Sequence, residues 1–127
     1  MNRAGFTMIE LIFTIVIIGI LSAIAMQKLS ATRDDAKMSI ETNNLATCIS
    51  DLGSQYTAKR TINSSESDAC AKVIANNCFT DTAEETNGTL TISFGSSTED
   101  WCIQAQTLAT NQNLITTHIF GGKRVSY

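Results

Sequence analysis

The sequence of 127 residues contains no proline. Nothing in it therefore fixes φ or deletes an amide donor inside a helix. Histidine occurs once, at His118, in a β-branched stretch with no acid partner or nucleophile motif beside it. A surface or hydrogen-bonded sheet histidine is the expectation there. No glycine-rich phosphate loop follows a strand-like segment, and no Ser or Cys stands in a nucleophile motif. The chain is thus expected not to be an enzyme. A basic excess is also missing: 9 Lys and Arg stand against 12 Asp and Glu, a net charge of −3. That balance offers no footprint for nucleic acid. The four cysteines, Cys48, Cys70, Cys78 and Cys102, include no Cys-x-x-Cys pair, the spacing that zinc sites favour. Neither a metal nor a cofactor is expected.

Charge is nearly absent from one long run. From Phe6 to Met26 the only ionisable side chain is Glu10, and nothing else is more polar than Thr or Ser. As a helix this run is about 32 Å long, enough for a hydrocarbon core of about 30 Å. A carboxylate at mid-membrane costs about 2.5–3.5 kcal/mol, so Glu10 implies a partner or a task. Its place near the start of the run lowers that cost through snorkelling and the positive end of the helix dipole.

The cluster Gly5-Phe6-Thr7-Met8-Ile9-Glu10, after a short leader with Arg3, resembles the class III signal of type IV pilins and type II secretion pseudopilins. The resemblance covers about the first thirty-five residues. It implies cleavage after Gly5 by a prepilin peptidase and N-methylation of Phe6. It further implies pairing of Glu10 with the N-terminal amine of a neighbouring subunit during assembly. Family members often carry proline shortly after the apolar run, whereas Gln27 stands near that place here. A more continuous helix is expected in consequence.

Other readings of the run compete with this one. An all-round apolar helix finds too little in the remaining chain to cover it as a buried core element. A plain single-pass anchor fits its length. A secretory signal fits Arg3 and the small-x-small sequence Ala23-Ile24-Ala25, although such a signal needs neither Glu10 nor the Gly-Phe-Thr cluster. No cysteine follows the run directly, which excludes a lipoprotein. The alternative function is accordingly a singly anchored or secreted disulfide-bonded envelope domain that binds something. Lys28, Arg33 and Lys37 balance the leader's positive charge, so charge does not orient the span. The cysteines do so. An even number, all beyond the run, reads as two disulfides in an oxidising compartment.

Cys70 and Cys78 bracket a short helical pattern, whose rise of about 12 Å exceeds the reach of a disulfide. That demotes the 70–78 pairing, and with it 48–102. Of the two connectivities left, Cys48–Cys70 with Cys78–Cys102 makes compact, non-crossing loops and is preferred. Each loop should contribute roughly 3 kcal/mol in the chain-entropy picture.

Residues 28–60 continue the first helix. Met38, Leu45, Ile49, Leu52 and Tyr56 form its core stripe, while Leu29, Ala36 and Ile40 form a second strip on the opposite side. A helix packed on its own sheet has no intramolecular use for that strip, which would suit a neighbour in a filament. The charged group Arg33, Asp34, Asp35 and Lys37 reads equally as a solvated collar or as intersubunit salt bridges. This helix should fray at Thr61-Ile62-Asn63. Ser65-x-x-Asp68 resembles a capping box, with Ser67 a second possible cap, before a helix over 69–76 with Val73 and Ile74 inward.

Strands are expected from Cys78, over Leu90–Phe94, over Trp101–Gln106 (or a short helix through Ala109) and over Leu114–Phe120. Gly121-Gly122 permits a bend before Val125 and Tyr127. The acidic turns at Asp81, Glu84, Glu85 and at Glu99, Asp100 lack an ordered calcium-ligand spacing and read as solvated. Helices followed by strands give a segregated α+β fold with a three- or four-stranded antiparallel sheet. The expected organisation is a leader at 1–5, a membrane and filament-core helix at 6–26, and a disulfide-stabilised pilin-like domain at 27–127. The implied partners are other filament subunits, the prepilin peptidase and the bacterial inner membrane. The domain would lie outside the cytoplasm, and the mature chain in a periplasmic or surface filament.

Overall fold

Hydrogen bonding along the backbone runs unbroken from Met8 to Lys59 in α1. The absence of proline makes that possible, and Gln27 supplies an ordinary amide where a ring would have removed one. The computed structural model describes residues 4–122, so Arg3, Val125 and Tyr127 lie outside the described residues. The chain divides into two compact units, Met1–Asp35 and Ala36–Tyr127.

In the first unit, every described residue before Asp34 is exposed. Its large apolar side chains, from Phe6 through Met26, are exposed. Thr14 directs its hydroxyl to the Glu10 carbonyl at 2.7 Å, so its polar group is satisfied within the helix, as a lipid environment requires.

The second unit is α+β. Its part of α1 buries Glu41, Thr42, Leu45, Cys48, Ile49, Leu52 and Tyr56, a stripe with helical spacing. Met38 is only partly buried at its edge. Arg60 ends the helix in the left-handed region, with φ of 60°. A 3₁₀ turn, Ser64–Glu66, follows and is capped by Asn63, whose side chain accepts from the Ser65 amide. Lys59 and Gln55 both donate to the Glu66 carboxylate at 3.0 Å, tying this turn back to α1.

Helix α2, Asp68–Asn76, is capped by Ser67, whose hydroxyl oxygen accepts from the Cys70 amide. The Ser65-x-x-Asp68 capping box does not form, because the 3₁₀ turn occupies Ser65. Val73 is buried, but Ile74 is 45% exposed; a helix this short covers the core with one narrow face only.

β1 (Phe79–Glu84), β2 (Thr89–Phe94) and β3 (Thr117–Ile119) form an antiparallel sheet in the order β1-β2-β3. Leu90 pairs across with Ala83 and His118, and Ile92 with Asp81. Leu90 and Ile92 are buried, whereas Phe94 at the strand end is 54% exposed. The Leu90, Ile92, Phe94 alternation therefore delivers two core residues rather than three. The β1–β2 turn depends on Gly88, whose φ is +64°. A Cβ there would lie 2.4 Å from the Tyr56 ring, well inside van der Waals contact.

Residues 100–111 decide between the strand and the short helix expected from Trp101 in favour of the helix: they form α3, Asp100–Asn111. Its buried residues are Cys102, Ala105 and Ala109, spaced by three and four. Small side chains let this helix lie close to the core, while Ile103, counted inward in a strand, is exposed. Cys48 joins Cys70 with Cα atoms 4.7 Å apart, and Cys78 joins Cys102 at 5.6 Å. All four sulfurs belong to buried residues, so the bridges fasten α2 to α1 and α3 to the start of the sheet.

Candidate functional site

The candidate site is built from the first turn of α1. Residues 4–7 have no regular structure, and Phe6 is 90% exposed. A Cβ built on Gly5 meets nothing within 4 Å, so the Gly5–Phe6 bond stands open. Thr7 is the last residue before the helix, and its carbonyl accepts the first intrahelical bond, from the Leu11 amide at 3.2 Å.

Glu10 turns back onto Thr7. Its Oε2 accepts from the Thr7 amide at 2.9 Å and from the Thr7 hydroxyl at 3.2 Å. The Glu10 amide in turn donates to Thr7 Oγ1 at 3.3 Å. This reciprocal pattern is a capping box, which satisfies two of the amides that a helix start leaves unpaired. The carboxylate also faces the positive end of the helix dipole. Thr7-x-x-Glu10 carries this signal in the sequence, but the apolar surroundings of Glu10 draw attention away from it. Glu10 thus has a local task before any second subunit is considered.

Leu29 is 74% exposed and Ile40 is 60% exposed, and Ala36 is exposed as well. Among the other charged residues, Lys37 sets its ammonium 5.6 Å from the centre of the Trp101 ring. The acids expected in turns are placed otherwise: Asp81 and Glu84 lie in β1, and Asp100 opens α3. Asp81 accepts from the Ser64 hydroxyl of the 3₁₀ turn, Glu84 from Asn87 and Glu99 from the Trp101 indole. No group of three or more potential metal-ligating side chains occurs among the described residues. His118 is half-buried on β3, its Nε2 3.0 Å from the Leu114 carbonyl.

One acid reads from the sequence as part of the charged flank of the core stripe and is buried instead. Glu41 is only 1% exposed. Its Oε2 accepts from Asn76 Nδ2 at 2.7 Å, while Oε1 is buried without a hydrogen-bond partner among the described residues. Burial pushes the carboxyl above the usual carboxylate range, and the Asn76 bond opposes that only in part. Glu41 lies beside the stripe residues Leu45 and Cys48 on the helix wheel, which is the signal that could have placed it.

A long helix with an uncovered apolar first half, followed by a disulfide-tied antiparallel sheet, is a pilin-like α+β arrangement. The family model for the prokaryotic N-terminal methylation motif matches residues 1–26. Over that stretch the chain carries the signature of type IV pilins and pseudopilins. Comparison with curated proteins and with solved structures gives no match.

Proposed function

We propose that this chain is a structural subunit of a type IV pilus-like or type II secretion pseudopilus filament. The observation that carries the reading is the methylation motif at the start of an apolar helix that its own chain leaves uncovered. The precursor would sit in the inner membrane with residues 6–26 spanning it and residues 27–127 outside the cytoplasm. A prepilin peptidase would cut the exposed Gly5–Phe6 bond, and Phe6 would be methylated on its new amine. Burial among neighbouring helices would then replace lipid contact along the span, with Leu29, Ala36 and Ile40 continuing the packing beyond it.

Glu10 is the assembly residue in this reading. Both bonds from Thr7 end on Oε2, which leaves Oε1 to meet the amine of a neighbouring subunit. Thr7 meets only part of that carboxylate's need in an apolar setting, so subunits in register would add the cation it lacks. The test is Glu10→Ala in the full chain. The variant should insert, lose residues 1–5 and keep both disulfides, yet be missing from sheared filaments. Mass spectrometry of the wild-type mature protein should show methylated Phe6. Normal incorporation of the Ala variant would refute the role of Glu10, and an unprocessed or Met26-starting chain would refute the filament reading.

A further inference from the structure

Glu41 is one of the residues that line a pocket, together with Lys37, Ile40, Asn76 and Trp101. Three elements build it. Glu41 and Lys37 stand one turn apart on α1, Asn76 closes α2, and Trp101 lies in the first turn of α3. Asn76 donates to one carboxylate oxygen, and the other has no hydrogen-bond partner among the described residues. Leaving a charged acceptor unsatisfied in a buried position is among the larger single costs in a fold. The group that would relieve it is a donor with positive charge.

Trp101, in the same lining, already takes such a group. Trp101 is held by its edge, the indole N–H donating to Glu99, so its face is turned to the cavity side where the Lys37 ammonium sits at 5.6 Å. An aromatic face attracts a cation through its quadrupole, most strongly in tryptophan. A buried carboxylate and an indole face on one small cavity therefore select an organic cation with an apolar stem. The rim supplies a source for it. Ile40, 60% exposed, borders the pocket and belongs to the strip assigned above to packing between subunits.

We propose that this pocket receives a lysine or arginine side chain from a second copy of the chain, seated between Glu41 and Trp101. The second-copy part rests on the filament reading. The incoming cation displaces Lys37 from the ring, so Lys37 acts as a resident competitor.

Trp101 is the only tryptophan of the chain, so its emission reports this pocket alone. The full chain in detergent, as monomer, is titrated with ethylguanidinium and with n-butylammonium, using sodium chloride at matched ionic strength as control. Wild type should show a saturable change that the control lacks. Glu41→Gln should weaken binding by at least about tenfold, the loss expected when one charged partner is removed. Lys37→Met should bind more tightly than wild type. Thermal melting guards the first variant, since the neutral amide keeps the shape and should not lower the midpoint. In filaments the same titration should be silent, because a neighbour fills the pocket. No saturable response in the wild-type monomer, or an equal one in Glu41→Gln, overturns the site. A response undiminished in filaments overturns the second copy as occupant and leaves a free amine as the ligand. Failure of the chain to form filaments at all removes the filament reading, whereas the monomer titration still decides the pocket.

Discussion

Leu52 and Ile40 lie on the same helix with opposite exposures, so if the proposed filament reading holds, substituting each in turn should separate folding from assembly. Leu52 is fully buried and Ile40 is 60% exposed. Leu52→Ala removes three carbons from the contact between α1 and the sheet, where Leu45, Cys48, Ile49 and Tyr56 belong to the same core. Such truncations cost about 2–5 kcal/mol, the transfer term plus the residual cavity. For a domain of about a hundred residues each kcal/mol moves the midpoint by about 4–8 °C, so the shift should be at least about 8 °C. Ile40→Glu changes a side chain that its own fold does not cover, and such surface changes stay within about 0.5 kcal/mol. Its melting point should move by a few degrees at most. Placed between packed subunits, the new carboxylate would be desolvated at a cost of several kcal/mol unless a cation meets it. Circular dichroism melts of the full chain in detergent, followed by a sedimentation assay for filaments, give both readouts. A stable Ile40→Glu monomer that polymerises normally, or one that melts early, would refute the two-faced account of α1.

Further outcomes concern the second unit. Because the Glu41 carboxyl is raised from an ordinary value of 4.5, its contribution to stability is full below that pH and is lost as pH rises through the raised value. Glu41→Gln should therefore be the more stable form at neutral pH, with the difference closing as melts are repeated toward pH 4.5 and below. Gly88→Ala should lower the melting point. The left-handed backbone alone costs about 1–2 kcal/mol, and Tyr56 must also move; an unchanged midpoint would refute the steric argument. Peptide mapping without reductant should join Cys48 to Cys70 and Cys78 to Cys102, and the Cys48→Ser, Cys70→Ser double variant should lose roughly 3 kcal/mol in chemical denaturation.

The sequence exposed α1 and the sheet through their periodicities, because an apolar stripe repeating every three to four residues requires a helix and a sustained alternation of period two favours a strand. It left residues 101–106 open between strand and short helix, because Trp101, Ile103 and Ala105 alternate like a strand. Alternation counts apolar residues without asking which size fits: α3 turns Cys102, Ala105 and Ala109 inward and leaves Ile103 outside. Phe94 and Ile74 failed for a related reason. Both occupy apolar pattern positions at the end of a short element, where the core no longer reaches. The N-terminal motif was legible residue by residue, yet the reciprocal bonding of Thr7 and Glu10 was not, since attention to a charge in an apolar run favours a distant partner over a local one.

Glu10 and Glu41 show why a charge on an apolar helix cannot be interpreted from its position alone. Both interrupt apolar patterns of α1, and both carboxylates accept on Oε2. Glu10 sits at a helix start, where the unpaired Thr7 amide is there to meet it. Its local bonds would hold whether or not a second subunit arrives, so a neighbouring amine adds to an arrangement already formed. Glu41 sits mid-helix, where no backbone amide is free to meet it, and a single side-chain amide from α2 must serve. Its unsatisfied oxygen is a cost borne by the isolated fold, removed by protonation or by a cation from outside. The first acid would set register once assembly is under way; the second would favour an assembled state over a free one. Only the second predicts that a neutral substitution stabilises the monomer while weakening contact between copies.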